Sequence, residues 1–199
     1  MNQIKQFFDG QSLRLAHKCI GLRFYFVTGH LLPEFANHLV GIRNISLGFD
    51  GFELRVKLEP CELDFRGYPD DYGRVSIDSG TATADNSGLG LHNNYRFKDR
   101  YAERVLVIRE SIRFDYLDEP VWEFVSDIGL VFELSEGCIG VYKAGYQGNQ
   151  LEVALASKLA MLEIPDRHAN WTFSQELGEN YEFNREFIPI EDLLKPVGD

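Results

Sequence analysis

The chain has 199 residues, enough for one domain or two small ones with a substantial core. Hydrophobic residues make up 44% and charged residues 26%, which argues against disorder, and apolar runs such as Phe24-Tyr25-Phe26-Val27 are far too short to span a bilayer. The formal net charge of −11 argues against a nucleic-acid or anionic-membrane partner and favours a basic one.

The start, Met1-Asn2-Gln3-Ile4-Lys5-Gln6, lacks the charged-then-apolar layout of a signal peptide. Gln3 to Phe8 reads as one short helical turn. Cys19 to Thr28 is aromatic and β-branched and predicts a buried strand. Pro33 to Val40, with Pro at the first position and Gly41 just beyond, predicts a short capped helix. Asn44 to Lys57 alternates around Asp50-Gly51 and predicts a hairpin. Residues 79–94 are rich in Gly and Asn and read as a connection.

Tyr101 to Tyr116 alternates as a long strand, and Asp127 to Tyr142 predicts a second hairpin turning near Ser135-Glu136-Gly137. Within Gln150 to Ile164, Leu151, Leu155, Leu159 and Leu162 fall at helical spacing. The run Leu151-Glu152-Val153-Ala154-Leu155 also alternates like a strand, and the reading leans to helix. Trp171 to Gln175 and Tyr181 to Ile190 add strands, and Ile190 to Leu194 closes with a helical turn. The fold class expected is α+β, predominantly antiparallel β with a few short helices.

Two features divide the chain. Residues 1–78 carry 9 Lys+Arg against 10 Asp+Glu and residues 79–99 carry 2 of each. Residues 100–199 carry 9 against 19, so the acidity lies in the last hundred residues. Ile45, Leu47, Phe49 and Asp50 are also echoed by Ile128, Leu130, Phe132 and Glu133, each set followed by a turn and another strand. The organisation expected is an N-terminal β-rich half over 1–78, a connecting loop over 79–99 and an acidic β-rich half over 100–199. Two related halves and one single domain are both open forms of it.

Candidate chemistry is sparse. Val75-Ser76-Ile77-Asp78-Ser79-Gly80-Thr81 resembles the hydrophobic-Asp-[Ser/Thr]-Gly-[Ser/Thr] motif of the aspartic proteases. That resemblance implies a catalytic Asp78 whose loop is held by Ser79 and Thr81. Paired aspartates work by sharing one proton, one acting as base and the other as acid. The motif occurs once, so the resemblance implies a homodimer supplying the second aspartate. His30, Glu34 and His38 are spaced four apart, but Pro33 is expected to start the helix and leave His30 outside it, so no metal site is expected. The cysteines Cys19, Cys61 and Cys138 form no CxxC pair and read as reduced thiols of a cytoplasmic protein, with neither zinc nor disulfides. Phosphate-loop, GxSxG and HExxH signatures are absent, and no cofactor is expected.

The leading expectation is a non-catalytic binding protein that uses its acidic second half to engage a basic protein, as an immunity protein or antitoxin-type inhibitor does. The residues expected to carry it are Asp115, Asp118, Glu119 and Glu123 around Pro120, and Glu176, Glu179 and Glu182 further on. The alternatives are an Asp78-dependent dimeric hydrolase and a scaffold domain of a larger assembly.

Overall fold

The computed structural model describes residues 2–35, 38–65, 68–80, 93–144, 150–165 and 179–195. Ten strands are joined in one sheet: β1 (Asn2–Gln6), β2 (Arg23–Phe35), β3 (His38–Phe49), β4 (Phe52–Phe65), β5 (Tyr68–Gly80), β6 (Asn93–Tyr116), β7 (Glu119–Leu134), β8 (Cys138–Lys143), β9 (Gln150–Ala156) and β10 (Glu179–Pro189). The helices are short, α1 (Gly10–His17) and α2 (Ile190–Leu194). The chain is thus mostly antiparallel β with few short helices, as its alternation predicts. Among the described residues no helix is long and apolar enough to cross a membrane.

Six strands close on themselves. β2 pairs with β3, β3 with β9, β9 with β8, β8 with β7, β7 with β6 and β6 with β2, every pair antiparallel. Closure pairs each ring strand on both sides over part of its length, while β1, β5 and β10 end the sheet outside the ring. Strands from residues 1–78 and 100–199 therefore hydrogen-bond side by side, and residues 93–99 of the expected connection belong to β6.

Three strands run on past the ring and find other partners. β3 leaves β9 for β4, which pairs with β5. β6 leaves β2 for β10. β7 leaves β8 for β1, a parallel pairing. The far part of the molecule is consequently a four-stranded sheet ordered β10-β6-β7-β1.

Alternation on the ring strands sorts side chains into two layers. Val105, Val107, Leu130, Phe132, Ile139 and Val141 fill the interior with Leu13 and Ala16 of α1. Leu106, Ile108, Val131 and Tyr142 point outward and are covered by Leu159, Leu162 and Ile164. Both faces of β8 are buried, which is why Cys138–Lys143 is buried at every position. At Gly129 the neighbouring strand comes so close that a Cβ would lie 2.3 Å from the Val141 carbonyl oxygen and 2.5 Å from Tyr142 Cα, so only glycine fits.

Several local expectations are corrected. Pro33 to Val40 is not a helix. Pro33 pairs with Leu39 and Phe35 with His38, so the segment closes the β2–β3 hairpin. His30, Glu34 and His38 therefore do not share a helical face. Gln150 to Ile164 is strand β9 followed by a single 3-10 turn at Leu159–Met161, because Leu151 and Val153 enter the core while Glu152 and Ala154 face outward. Gln3 to Phe8 is mainly β1, held by the parallel ladder to β7. Helix α1 was not expected. Asp9 caps it by accepting a hydrogen bond from the Ser12 backbone N–H at 2.7 Å. Trp171 to Gln175 lies outside the described residues.

Candidate partner-binding surface

Of the expected acidic residues, Asp115, Asp118, Glu119, Glu123, Glu179 and Glu182 lie towards one end of the β10-β6-β7-β1 sheet. Strands β6 and β7 are joined by Leu117-Asp118, both left-handed at φ 49° and 62°, which makes a two-residue type I′ turn. The ladder pairs Tyr116 with Glu119 on one side and with Glu179 on the other. Three residues further from the turn, Arg113 lies between Glu123 and Glu182. Residues directly opposite on neighbouring strands share a face, so Glu182, Arg113 and Glu123 form a row across three strands. Gln3 of β1 extends it by donating to Glu123.

Arg113 is the cation within this row. Its guanidinium reaches Asp115 at 3.2 Å and Glu182 at 2.8 Å. The hydrogen bond and charge of Asp115, then the charge of Glu182, push its pKa further up. At this end of the sheet Asp118, Glu119 and Glu182 are exposed, while Asp115 and Glu123 are half-buried. A patch with this surplus of carboxylates attracts a basic surface and repels another acidic one.

The opposite face of the same strands is aromatic. Phe114 stacks on Trp122 with centroids 5.6 Å apart, and Phe124 packs with Ile4, Trp122 and Cys61. That layer anchors the acidic face from behind. The apex itself is apolar: Tyr116 is 45% and Leu117 62% exposed, and Tyr116, on the face of Phe114, has Glu119 and Glu179 opposite it in the ladder. The sequence reading did not single out Arg113, Tyr116 or Leu117. The adjacency of Tyr116-Leu117 to Asp115 and Asp118 was the available signal. Glu176 lies outside the described residues.

Comparison with protein-family models, with curated proteins and with solved structures finds no match. Any reading of the surface therefore rests on its chemistry.

Asp78 sits in a different setting. It lies within β5, in register with Arg55, and its carboxylate meets the Lys57 ammonium; Ser79 pairs with Leu54. Its neighbour within the chain is thus a cation; the second carboxylate that the motif chemistry needs would come from a second copy of the chain. Thr81 lies outside the described residues. Among the described residues no group of three His, Cys, Asp or Glu is placed to hold a metal ion.

Two further polar clusters lie elsewhere in the molecule. Arg185 of β10 donates to Glu110 at 2.8 Å and to the carbonyls of Ile164 and Pro165, and on the ring Tyr142 donates to Glu152 at 2.9 Å. Lys143 is buried close by, and burial lowers its pKa to about 7 against the opposing pull of Glu110 and Cys61. Elsewhere an open depression of about 380 Å³ is lined by Arg104, Glu133, Ser135, Ser157 and Lys158, with Arg104 and Glu133 paired inside it at 3.2 Å.

Proposed function

We propose that the chain is a non-catalytic binding protein that engages a basic protein through the acidic end of the β10-β6-β7-β1 sheet. The observation that carries this reading is the pairing of Arg113 with both Glu123 and Glu182. It joins acids more than fifty residues apart in sequence into one face. Acid opposite base speeds encounter and selects the partner. An immunity-protein or antitoxin-type inhibitor in the cytoplasm is the concrete form of this function.

The test is a comparison of captures. The immobilised chain and a variant carrying Asp115→Lys, Asp118→Lys, Glu119→Lys and Glu123→Lys are exposed to the same lysate at low salt and eluted with rising salt. A basic protein held by the first, absent from the second and released by salt supports the reading. Identical capture by both rejects it.

The duplication reading has one support beyond the sequence echo. β2–β5 and β6–β9 are each a run of four strands paired in chain order, and the echoed Phe49 and Phe132 occupy the second strand of each run.

A further inference from the structure

We infer that the Tyr116-Leu117 apex is the anchor of the acidic surface, and that the partner presents an apolar pocket ringed by Lys and Arg. The inference rests on the binding reading above and adds to it the shape and chemistry of the partner's site.

The argument begins with what the fold gains from these two side chains. Tyr116 and Leu117 are consecutive, and each exposes close to half of its surface or more. Single exposed hydrophobics are ordinary, but an aromatic and an aliphatic side by side at the tip of a hairpin make a compact apolar projection. The turn positions that Leu117 and Asp118 occupy are those where Asn and Gly are favoured. A leucine there supplies apolar surface that the turn does not need.

The surroundings decide what covers it. Asp118 and Glu119 follow the apex and Asp115 precedes it, while the register sets Glu119 and Glu179 on either side of Tyr116. Binding energy at interfaces concentrates in a few central aromatic and aliphatic groups, while a charged rim sets approach and excludes water. An apolar tip inside an acidic collar is that layout on a small scale. A second copy of this chain would set carboxylate against carboxylate, and an anionic bilayer would meet the same repulsion. A basic protein with a hydrophobic pocket satisfies both parts. The collar governs the rate of association and the apex governs dwell time.

Two peptides test this: an oligolysine, and the same peptide with two central lysines replaced by Leu and Trp. Calorimetric titration should find the Leu/Trp peptide bound about tenfold tighter, the size of a modest apolar contact. The double variant Tyr116→Ser with Leu117→Gly should erase that difference and leave oligolysine binding unchanged. Glycine suits the left-handed position, so this variant is expected to fold. Reversal of Asp115, Asp118, Glu119 and Glu123 should weaken both peptides. If oligolysine binds but Leu and Trp add nothing, or their gain survives the double variant, the anchor is wrong and the acidic surface stands. If neither peptide binds, both readings fall. Leu117-dependent binding to phosphatidylserine vesicles would overturn the protein-pocket assignment in favour of a membrane.

Discussion

Asp127 holds Arg109 with both carboxylate oxygens, Oδ1 2.7 Å from Nε and Oδ2 3.2 Å from Nη2, and it accepts the Phe8 backbone N–H at 2.9 Å. One buried carboxylate thereby ties the segment after β1 to the bulge where β6 and β7 change register. Phe7 completes the clamp by lying over the Arg109 guanidinium, 4.1 Å from ring centroid to Cζ. Asp127→Ala leaves a mostly buried cation and a buried N–H without their acceptor. Stability should fall by about 3–5 kcal/mol, read from urea unfolding. Hydrogen exchange at Phe8 should accelerate more than exchange at Val131 in the ring.

Lys143 makes stability depend on pH in the alkaline range. Its folded pKa, about 7, lies below the ordinary 10.5 because burial opposes the charge. Between those values the unfolded chain binds a proton that the folded chain does not, so this group makes stability rise with pH from about 7 to about 10.5. Below that window its contribution is flat. Lys143→Met should raise Tm at neutral pH, with the gain shrinking towards pH 10. A thermal-melt series across this range checks it, and an equal gain at every pH would remove burial of the amine as the cause.

Arg113 partly neutralises the surface proposed to bind. Its ion pairs are exposed enough to be screened by solvent and salt, so they add little to stability. Arg113→Ala should therefore leave the unfolding midpoint nearly unchanged. Association with oligolysine should become faster and more sensitive to salt, as stopped-flow at two ionic strengths would measure. Slower association would contradict the proposed role of the patch.

Asp78 should prove ordinary. Its partner Lys57 is one-third exposed and its own side chain nearly half exposed, so Asp78→Asn should cost no more than about 1 kcal/mol. Binding of the basic probe should not change. An acid-shifted peptidase activity in the parent chain that Asp78→Asn abolishes would revive the hydrolase alternative.

Much of the strand content was legible because alternation is a local signal. The hairpin at Asp50-Gly51 and the turn at Ser135–Gly137 follow from glycines that adopt φ of 63° and 85°. The failures arose where two local signals competed. Pro33 looks like a helix start, yet it lies in a hairpin at a register shift, where a missing N–H costs the ladder little. The leucines at 151, 155, 159 and 162 mimic a helical stripe, yet Leu151 belongs to the ring interior while Leu159 and Leu162 pack on its outer layer. The candidate surface was half legible. Its acidic residues stand out in the sequence, but their assembly depends on which residue of β10 faces which residue of β6, and a pairing register between distant strands leaves no local mark.

The closed ring also has a consequence for how the chain comes into being. His38 is paired with Ala154 and Arg23 with Tyr101, so the earliest ring strands to leave the ribosome wait for late ones. Until β9 is synthesised, β3 carries a raw edge able to template pairing with another nascent chain. Contacts of such sequence separation form slowly, because a long loop must be closed before they contribute. A product truncated before Gln150 would lack the strand that joins β3 to β8, making it an aggregation hazard for the cell.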